Sequence, residues 1–271
     1  MPRFVTLLLV ALSFAPHARA QDWVSRWFDM VSRSQAEQPA WATPLVTSSA
    51  RLDQRFRYDM IHSQTATGGV WNFGNSKGLD LIVAPRVEVI LAVPPYFSHE
   101  NPAVKDGFGD ASFQLKYRIR ARNEKKGNYV VTAFLNATVP TGSYRNGAVA
   151  PVITPTIAAG KGWGRIVWQN TASVGIPVGE SARLGYPLQL NTALQYHAQK
   201  YVWPQVEANS TFFFGGLSDG RKQVFLTPGL VCGRFVAARH ARLTFGAGMQ
   251  IAATEFHTSN HNVVTTFRWS F

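Results

Sequence analysis

The sequence predicts an all-β protein: a transmembrane antiparallel β-barrel of twelve strands, preceded by a short amphipathic helix. Three observations carry this. Near the C-terminus Val263, Thr265, Phe267 and Trp269 alternate with Asn262, Thr266, Arg268 and Ser270, and Phe271 ends the chain. Side chains two apart share one face of a strand, so the first set faces lipid and the second a wet interior. At the other end Arg3 precedes an apolar run over 4–14, Pro16 breaks it, and Ala18-Arg-Ala20 offers the small residues of a signal-peptidase site. Between the two ends no uninterrupted apolar stretch approaches the roughly 18–20 residues of a spanning helix.

These features divide the chain into a signal peptide over 1–20, a helical and linker segment over 21–50, and a barrel over 51–271. Export without an inner-membrane anchor, together with lipid-facing alternation, points to the bacterial outer membrane. Composition agrees, with 13% aromatic and only 15% charged residues. Arg3 and Arg19 leave with the signal, so the mature chain carries 25 basic and 15 acidic side chains, net +10. Nucleic acid is excluded as the reason, because the chain is exported and its basic residues are spread along strands rather than gathered in a run. Anionic lipopolysaccharide outside, or an anion-favouring lumen inside, fits that charge. The single Cys232 has no partner for an internal disulfide and reads as a small apolar side chain on a strand.

Over 21–44, Trp23, Val24, Trp27, Phe28, Met30 and Val31 recur at helical spacing among polar residues, with Asp22 as a candidate cap and Pro39 and Pro44 as stops. This helix fits two places, the periplasmic interface or the lumen. The first strand, 51–61, sets Leu52, Phe56, Tyr58 and Met60 against Asp53, Arg55, Arg57 and Asp59. A long loop over 62–78 follows, then a tight pair at 79–84 and 86–93 around Pro85, and a second long loop over 94–109. The strand at 110–122 is two-faced, with Phe113, Leu115, Tyr117 and Ile119 against Gln114, Lys116, Arg118 and Arg120. Further strands are read at 129–139, 154–161, 165–176, 186–197, 202–214, 223–236, 242–254 and 262–271. The spacing is about 18 residues per strand and loop, enough to cross a roughly 25 Å apolar band. Merging or splitting one hairpin would give ten or fourteen. Long connections (62–78, 94–109, 140–153, 255–261) follow odd strands and mostly short ones follow even strands, as a barrel with both termini in the periplasm requires.

Four stretches resemble a known family: Val83-Ala-Pro-Arg-Val-Glu-Val-Ile-Leu-Ala-Val-Pro-Pro-Tyr96, Gly107-Phe-Gly-Asp-Ala-Ser-Phe-Gln-Leu-Lys-Tyr117, Pro155-Thr-Ile-Ala-Ala-Gly-Lys-Gly-Trp-Gly164 and Phe225-Leu-Thr-Pro-Gly229. In this order they are similar to the outer-membrane proteins grouped as the putative meta-pathway of phenol degradation family, over about residues 40–271. The resemblance implies a porin-like or transporter barrel, tied in some members to breakdown of aromatic compounds, and brings no catalytic or ligand residues with it.

Candidate lumen and selectivity residues are Arg55, Arg57, Arg86, Glu88, Lys116, Arg118, Arg120, Glu207 and Arg268, with Asp59, Asp80, Gln169, Gln189, Asn191, Gln195, Gln205 and Asn209 beside them. Charges of both signs brace neighbouring strands across a narrow lumen, while a surplus of Arg and Lys lowers the barrier for anions. Lys116, Arg118 and Arg120 form a basic ladder at a spacing of two, the first place to look for charge selection. Phe267, Trp269 and Phe271 look like the insertion signal read by the barrel-assembly machinery.

Enzymatic readings are weaker. His257-Thr-Ser-Asn260 matches the His-x-Ser-Asn letters of lipid A deacylases, but lies in a predicted extracellular loop with no Asp or Glu after it. His257 and His261 stand at a spacing that meets on one face only in a helix, without a third ligand nearby. Gly160-Lys-Gly-Trp-Gly164 is a hairpin turn, since no helix follows it to bind phosphate. No metal, cofactor or enzymatic activity is expected. The expected partners are outer-membrane lipid and lipopolysaccharide, the assembly machinery during insertion, and a small solute. The functional expectation is a channel or passive transporter for small solutes, hydrophobic or aromatic ones among them; the alternative is a structural or adhesive surface protein with a blocked lumen.

Overall fold

In the computed structural model, which describes residues 17–238 and 241–271, the chain closes into a twelve-stranded antiparallel barrel. The strands are β1 (Arg55–Thr65), β2 (Gly68–Gly74 and Gly78–Ala84), β3 (Val87–Ala92 and Tyr96–His99), β4 (Gly107–Phe108 and Ala111–Arg122), β5 (Tyr129–Val139) and β6 (Val152–Trp163). They continue with β7 (Ile166–Val174 and Ile176–Pro177), β8 (Leu188–Tyr196), β9 (Val202–Phe212), β10 (Lys222–Ala238), β11 (Ala241–Ala252) and β12 (His261–Ser270). Each strand pairs with its sequence neighbours, and β12 returns to β1 in the register Arg55↔Ser270, Tyr58↔Phe267, Gln64↔His261. Closure leaves no strand edge facing hydrocarbon, where an unpaired backbone group costs several kcal/mol. No helix among the described residues is long and apolar enough to cross a membrane; the strands do so.

The period-two pattern sorts the side chains as the sequence predicts. Phe113, Leu115, Tyr117 and Ile119 of β4, Leu135 of β5, Leu190 and Leu194 of β8, and Val263 and Trp269 of β12 are large, apolar and exposed, forming the lipid face. Between them Lys116, Arg118, Asn262, Thr266 and Arg268 are buried inside. Trp163, Trp168, Tyr196 and Trp269 sit near strand ends beside the short turns, where an aromatic ring meets the membrane interface. Short turns at 85–86, 123–128, 164–165 and 197–201 share one end with the start of β1 and the end of β12, which makes that end periplasmic. The longer connections at 100–106, 140–151, 178–187, 213–221 and 253–260 are extracellular.

Three readings of the sequence need correction. Residues 62–78 are not a loop: β1 turns tightly at 66–67 and runs back as the outer part of β2. The wall begins at Arg55 rather than at residue 51, so Leu52 is not on the lipid face but fully buried against Val31 and Ile82. The 94–109 connection likewise contains strand at Tyr96–His99 and Gly107–Phe108.

Helix α1 (His17–Ala36) lies across the periplasmic rim. Trp27 Nε1 donates to the Ile82 carbonyl at 2.9 Å, Ser34 Oγ to Pro85 O at 2.7 Å, and Asn123 Nδ2 to Ala36 O at 2.9 Å, so the helix hangs on two of the short turns. Val31, with Trp27 and Met30 beside it, packs on Leu52 and Ile82, while Trp23 remains exposed. Of the two places open to this segment, the helix takes the rim, and the chain after it enters the lumen. The expected signal peptide falls mostly on residues 1–16, outside the described residues.

Candidate functional site: a lumen occupied by the chain itself

Residues 38–54 form an inward loop that rises from the periplasmic rim, turns near the middle of the barrel and returns to start β1. Its two limbs are tied at the base, where Gln38 Nε2 donates to Leu52 O (2.5 Å) and Leu52 N donates back to Gln38 Oε1 (2.9 Å). Higher up, Arg51 donates to the Trp41 carbonyl and Thr43 Oγ1 to Asp53 at 3.2 Å. The loop has no regular secondary structure, so its backbone polar groups need partners from the wall.

The wall supplies them from the residues that looked like selectivity candidates. Glu207 receives the backbone N–H groups of Leu45 (2.7 Å), Val46 (3.0 Å) and Thr47 (2.6 Å) at the loop tip. Arg268 donates to the carbonyls of Thr43 (2.6 Å) and Pro44 (2.7 Å), and Arg57 to that of Leu45 while pairing with Asp59 at 2.7 Å. Arg55 bridges Asp80 (2.7 Å), Asp53 (3.1 Å) and the Thr43 hydroxyl (2.7 Å). Glu88 takes the Asp53 N–H and pairs with Lys116 at 3.1 Å. Arg118 reaches Ser34 O, Pro85 O and the Glu37 carboxylate, fastening the end of the helix.

Arg86 and Arg120 do not join this set. A bulge between Arg118 and Arg120 shifts the β4–β5 register, so Ala121 becomes the buried residue and Arg120 turns outward. Arg86 is exposed in the turn beside it. The predicted three-rung basic ladder is therefore two buried rungs, each with carboxylate and carbonyl partners.

Two further features hold the tip: a chain of three of the inward-facing glutamines, and a glycine-lined seat that was not among the sequence candidates. Gln169, Gln195 and Gln205 donate in turn across β7, β8 and β9, each at 2.7 Å, ending on Glu207 Oε1. Such a chain polarises along its length and orients the carboxylate at its end. On the other side the wall has no side chains where the loop needs room: a Cβ on Gly229, Gly246 or Gly248 would lie 2.4–2.8 Å from a Leu45 methyl, and one on Gly160 would lie 2.6 Å from Trp41 Cζ3. Arg234, at a β10 bulge with φ 67°, donates to Trp41 O at 2.9 Å.

Above the tip a vestibule of about 350 Å³ faces the extracellular end. Its walls carry Ser112, Gln114, Asn136, Thr138, Thr154, Thr156, Ser173, Gln189 and Asn191, and its floor Ser48, Ser49, Arg55, Arg57, Lys77, Asp80 and Lys116. On the periplasmic side a cavity of about 370 Å³ lies between α1 and the ends of β10–β12. A cleft of about 40 Å³ lined by Thr43, Arg51, Asp53, Arg55, Arg234 and Arg268 lies between the two, sharing Arg55 with the vestibule and Arg51, Asp53 and Arg234 with the lower cavity. That volume holds a few water molecules. A solute larger than a small ion needs the loop to move.

The deacylase-like letters resolve to loop packing. His257 meets the Thr254 carbonyl through Nδ1 (2.8 Å) and Asn260 Oδ1 through Nε2 (2.9 Å), so both ring nitrogens are engaged away from the buried Ser259.

Among solved structures, the chain is similar to the COG4313 outer membrane channel from Pseudomonas putida F1, with 14% identity, 85% of this chain and 100% of that one covered, and a TM-score of 0.57. It is also similar to the NanC porin, with 7% identity, coverage of 79% and 98%, and a TM-score of 0.51. At these identities the likeness is one of fold. No curated protein matches the sequence. The sequence pattern of the family described as "Putative MetA-pathway of phenol degradation" matches residues 47–231, from the tip of the inward loop to the middle of β10. This chain is an outer-membrane β-barrel that belongs to that family.

Proposed function

We propose that the protein is a passive path for small solutes across the outer membrane, entered from the polar vestibule and closed at rest by its own 38–54 loop. The observation that carries this reading is the series of three cavities that meets its narrowest point at the loop. A loop held by polar wall groups in a water-accessible lumen can exchange those bonds for water, so its release does not require the barrel to unfold. The fold is shared with structures described as an outer membrane channel and a porin, which supports the same reading.

The vestibule favours solutes with an anionic group. Four cations and one carboxylate lie in its lining, and Phe134 lies beneath the Lys116 ammonium, 4.9 Å from the ring centre. Small aromatic acids and phenolates join an anion to a flat ring and match both features, in keeping with the family's association with phenol breakdown. A second reading, a surface scaffold with a sealed lumen, is favoured by the number of bonds that hold the loop. Flux separates the two. Refolded full-length protein in a planar bilayer, recorded under a salt gradient, is expected to pass a small anion-favouring current with larger intermittent openings. A silent membrane containing folded barrels would overturn the channel reading in favour of the scaffold.

A further inference from the structure

The β2 strand is interrupted where an ordinary barrel strand would run straight. Between the pairs Phe56↔Leu79 and Asp59↔Gly74, β2 carries two residues more than β1. The surplus is absorbed at Asn75 and Ser76, two consecutive non-glycine residues in the left-handed region, with φ 47° and 49°. Asn72 Oδ1 accepts the Asn75 N–H at 3.1 Å, and Lys77 N donates to Gly74 O at 2.9 Å, so the kink is held by local hydrogen bonds of its own segment. Consecutive L-residues adopt this conformation at a cost, and such strain persists where the surroundings hold it and the site uses it.

The kink places Ser76 and Lys77 on the vestibule lining, beside Arg57, Asp80 and Lys116. The other charged groups there are already committed. Arg55 holds Asp80 and Asp53, Arg57 holds Asp59, and Lys116 holds Glu88. Among the described residues, no carboxylate lies within salt-bridge distance of the Lys77 ammonium, and no hydrogen bond from it is formed. An ammonium in a polar cavity with no ion pair of its own, near two further cations and near Asp59 and Asp80, whose carboxylates are already held by Arg57 and Arg55, is a site for an anion brought by the solute.

We propose that Lys77 is the docking point for the carboxylate of a small organic acid in the vestibule, with the Ser76 hydroxyl beside it as a further donor. This rests on the channel reading for its biological meaning but not for its test. Refolded full-length wild type, Lys77→Gln and Lys77→Arg are recorded in a planar bilayer while sodium benzoate is added on the extracellular side in a chloride background. Benzoate is expected to block the wild-type and Lys77→Arg currents at similar concentrations. Lys77→Gln is expected to need about tenfold more, because a charge-assisted contact is lost. Equal block of all three variants would overturn the assignment to Lys77 and leave the channel reading standing. If folded wild type carries no current, the channel reading fails instead. Saturation-transfer NMR with benzoate on the same preparations then decides the site: a saturable signal lost only in Lys77→Gln supports it, and no signal or an unchanged one overturns it.

Discussion

Replacing Glu207 by glutamine tests whether the inward loop is a gate. Its carboxylate is fully buried and accepts four N–H groups, three from the backbone of residues 45–47 and one from Gln205. A glutamine keeps one acceptor oxygen and aims an NH2 at donors that have no other partner. The charge assistance lost is about 1 kcal/mol for each backbone bond, and a stranded N–H adds about 1–3 kcal/mol. Against this, an uncharged amide is easier to desolvate than a carboxylate by a few kcal/mol. The balance is about 2 kcal/mol in favour of release, or roughly 30-fold in the docked-to-released ratio. Two measurements read it. In single-channel records the larger openings of Glu207→Gln should be roughly 30-fold more frequent. In a Cys232→Ser background, a cysteine introduced by Thr47→Cys, at a position 1% exposed in the wild type, should react with a thiol reagent faster by the same factor. Unchanged openings together with unchanged labelling would refute the argument, because a loop indifferent to the loss of its tip anchor is not held by it.

Other substitutions probe the seat, the lipid face and the outer loops. Gly160→Ala puts a methyl 2.6 Å from Trp41 Cζ3, and is expected to cost about 1–3 kcal/mol and to shift the Trp emission of the folded barrel; an unchanged spectrum and unfolding midpoint would mean that Trp41 does not rest there. Leu135→Lys sets a charge on the exposed outer face of β5 near mid-span, and refolding into bilayers should lose about 2–4 kcal/mol, whereas an unchanged refolding titration would contradict the lipid-facing assignment. Asp106 accepts the His99 N–H (2.7 Å) and the Ser98 hydroxyl (2.9 Å), which hold its carboxyl below the ordinary 3.8. The contact is complete above pH 3.8 and is lost as pH falls through the lowered value, so protease resistance of the 100–106 loop should persist somewhat below pH 3.8, and Asp106→Asn should be weaker above that range and converge with the wild type at lower pH.

The barrel was legible because a closed sheet in lipid leaves a period-two signature on every strand, and twelve such segments with alternating long and short connections admit few other folds. The signature failed over 68–74, where Gly68, Gly69 and Gly74 read as turn formers although this stretch pairs with β1 as strand up to the kink at Asn75. Arg55, Arg57, Glu88, Lys116, Arg118, Glu207 and Arg268 are buried on the faces that alternation gives them. Their bonds to the inward loop were not legible, because that segment has no periodicity and for most of them lies far off in the chain, in the case of Arg268 some 225 residues away. Arg120 was placed inside because alternation was carried through a bulge that nothing local announces. The glutamine chain had a visible signal in Gln169, Gln195 and Gln205, one inward amide on each of three successive strands, but its direction follows from Glu207 at its end.

The arrangement of anchors bears on how a passive channel can be both shut and usable. Had the loop been held by apolar contact alone, its release would expose that surface to water at about 25 cal/mol per Å² with nothing to compensate. Here Trp41, Ala42, Leu45 and Ala50 do pack with wall residues such as Phe134, Val167, Trp203 and Val231, but the loop is also held by hydrogen bonds that water can replace at a net cost of about 1 kcal/mol each. A solute shifts that balance only through a difference in its affinity for the docked and released states. Lys77 and Lys116 share the vestibule floor with the tip residues Ser48 and Ser49, and Lys116 also reaches the Ser49 carbonyl at 3.5 Å. An anion that draws Lys116 towards the vestibule weakens its hold on the tip, so it binds the released state better than the docked one. A preference of about tenfold would offset about 1.4 kcal/mol of docking. That is comparable to the effect worked out for the loss of the Glu207 charge, which places solute binding and tip release on one energy scale.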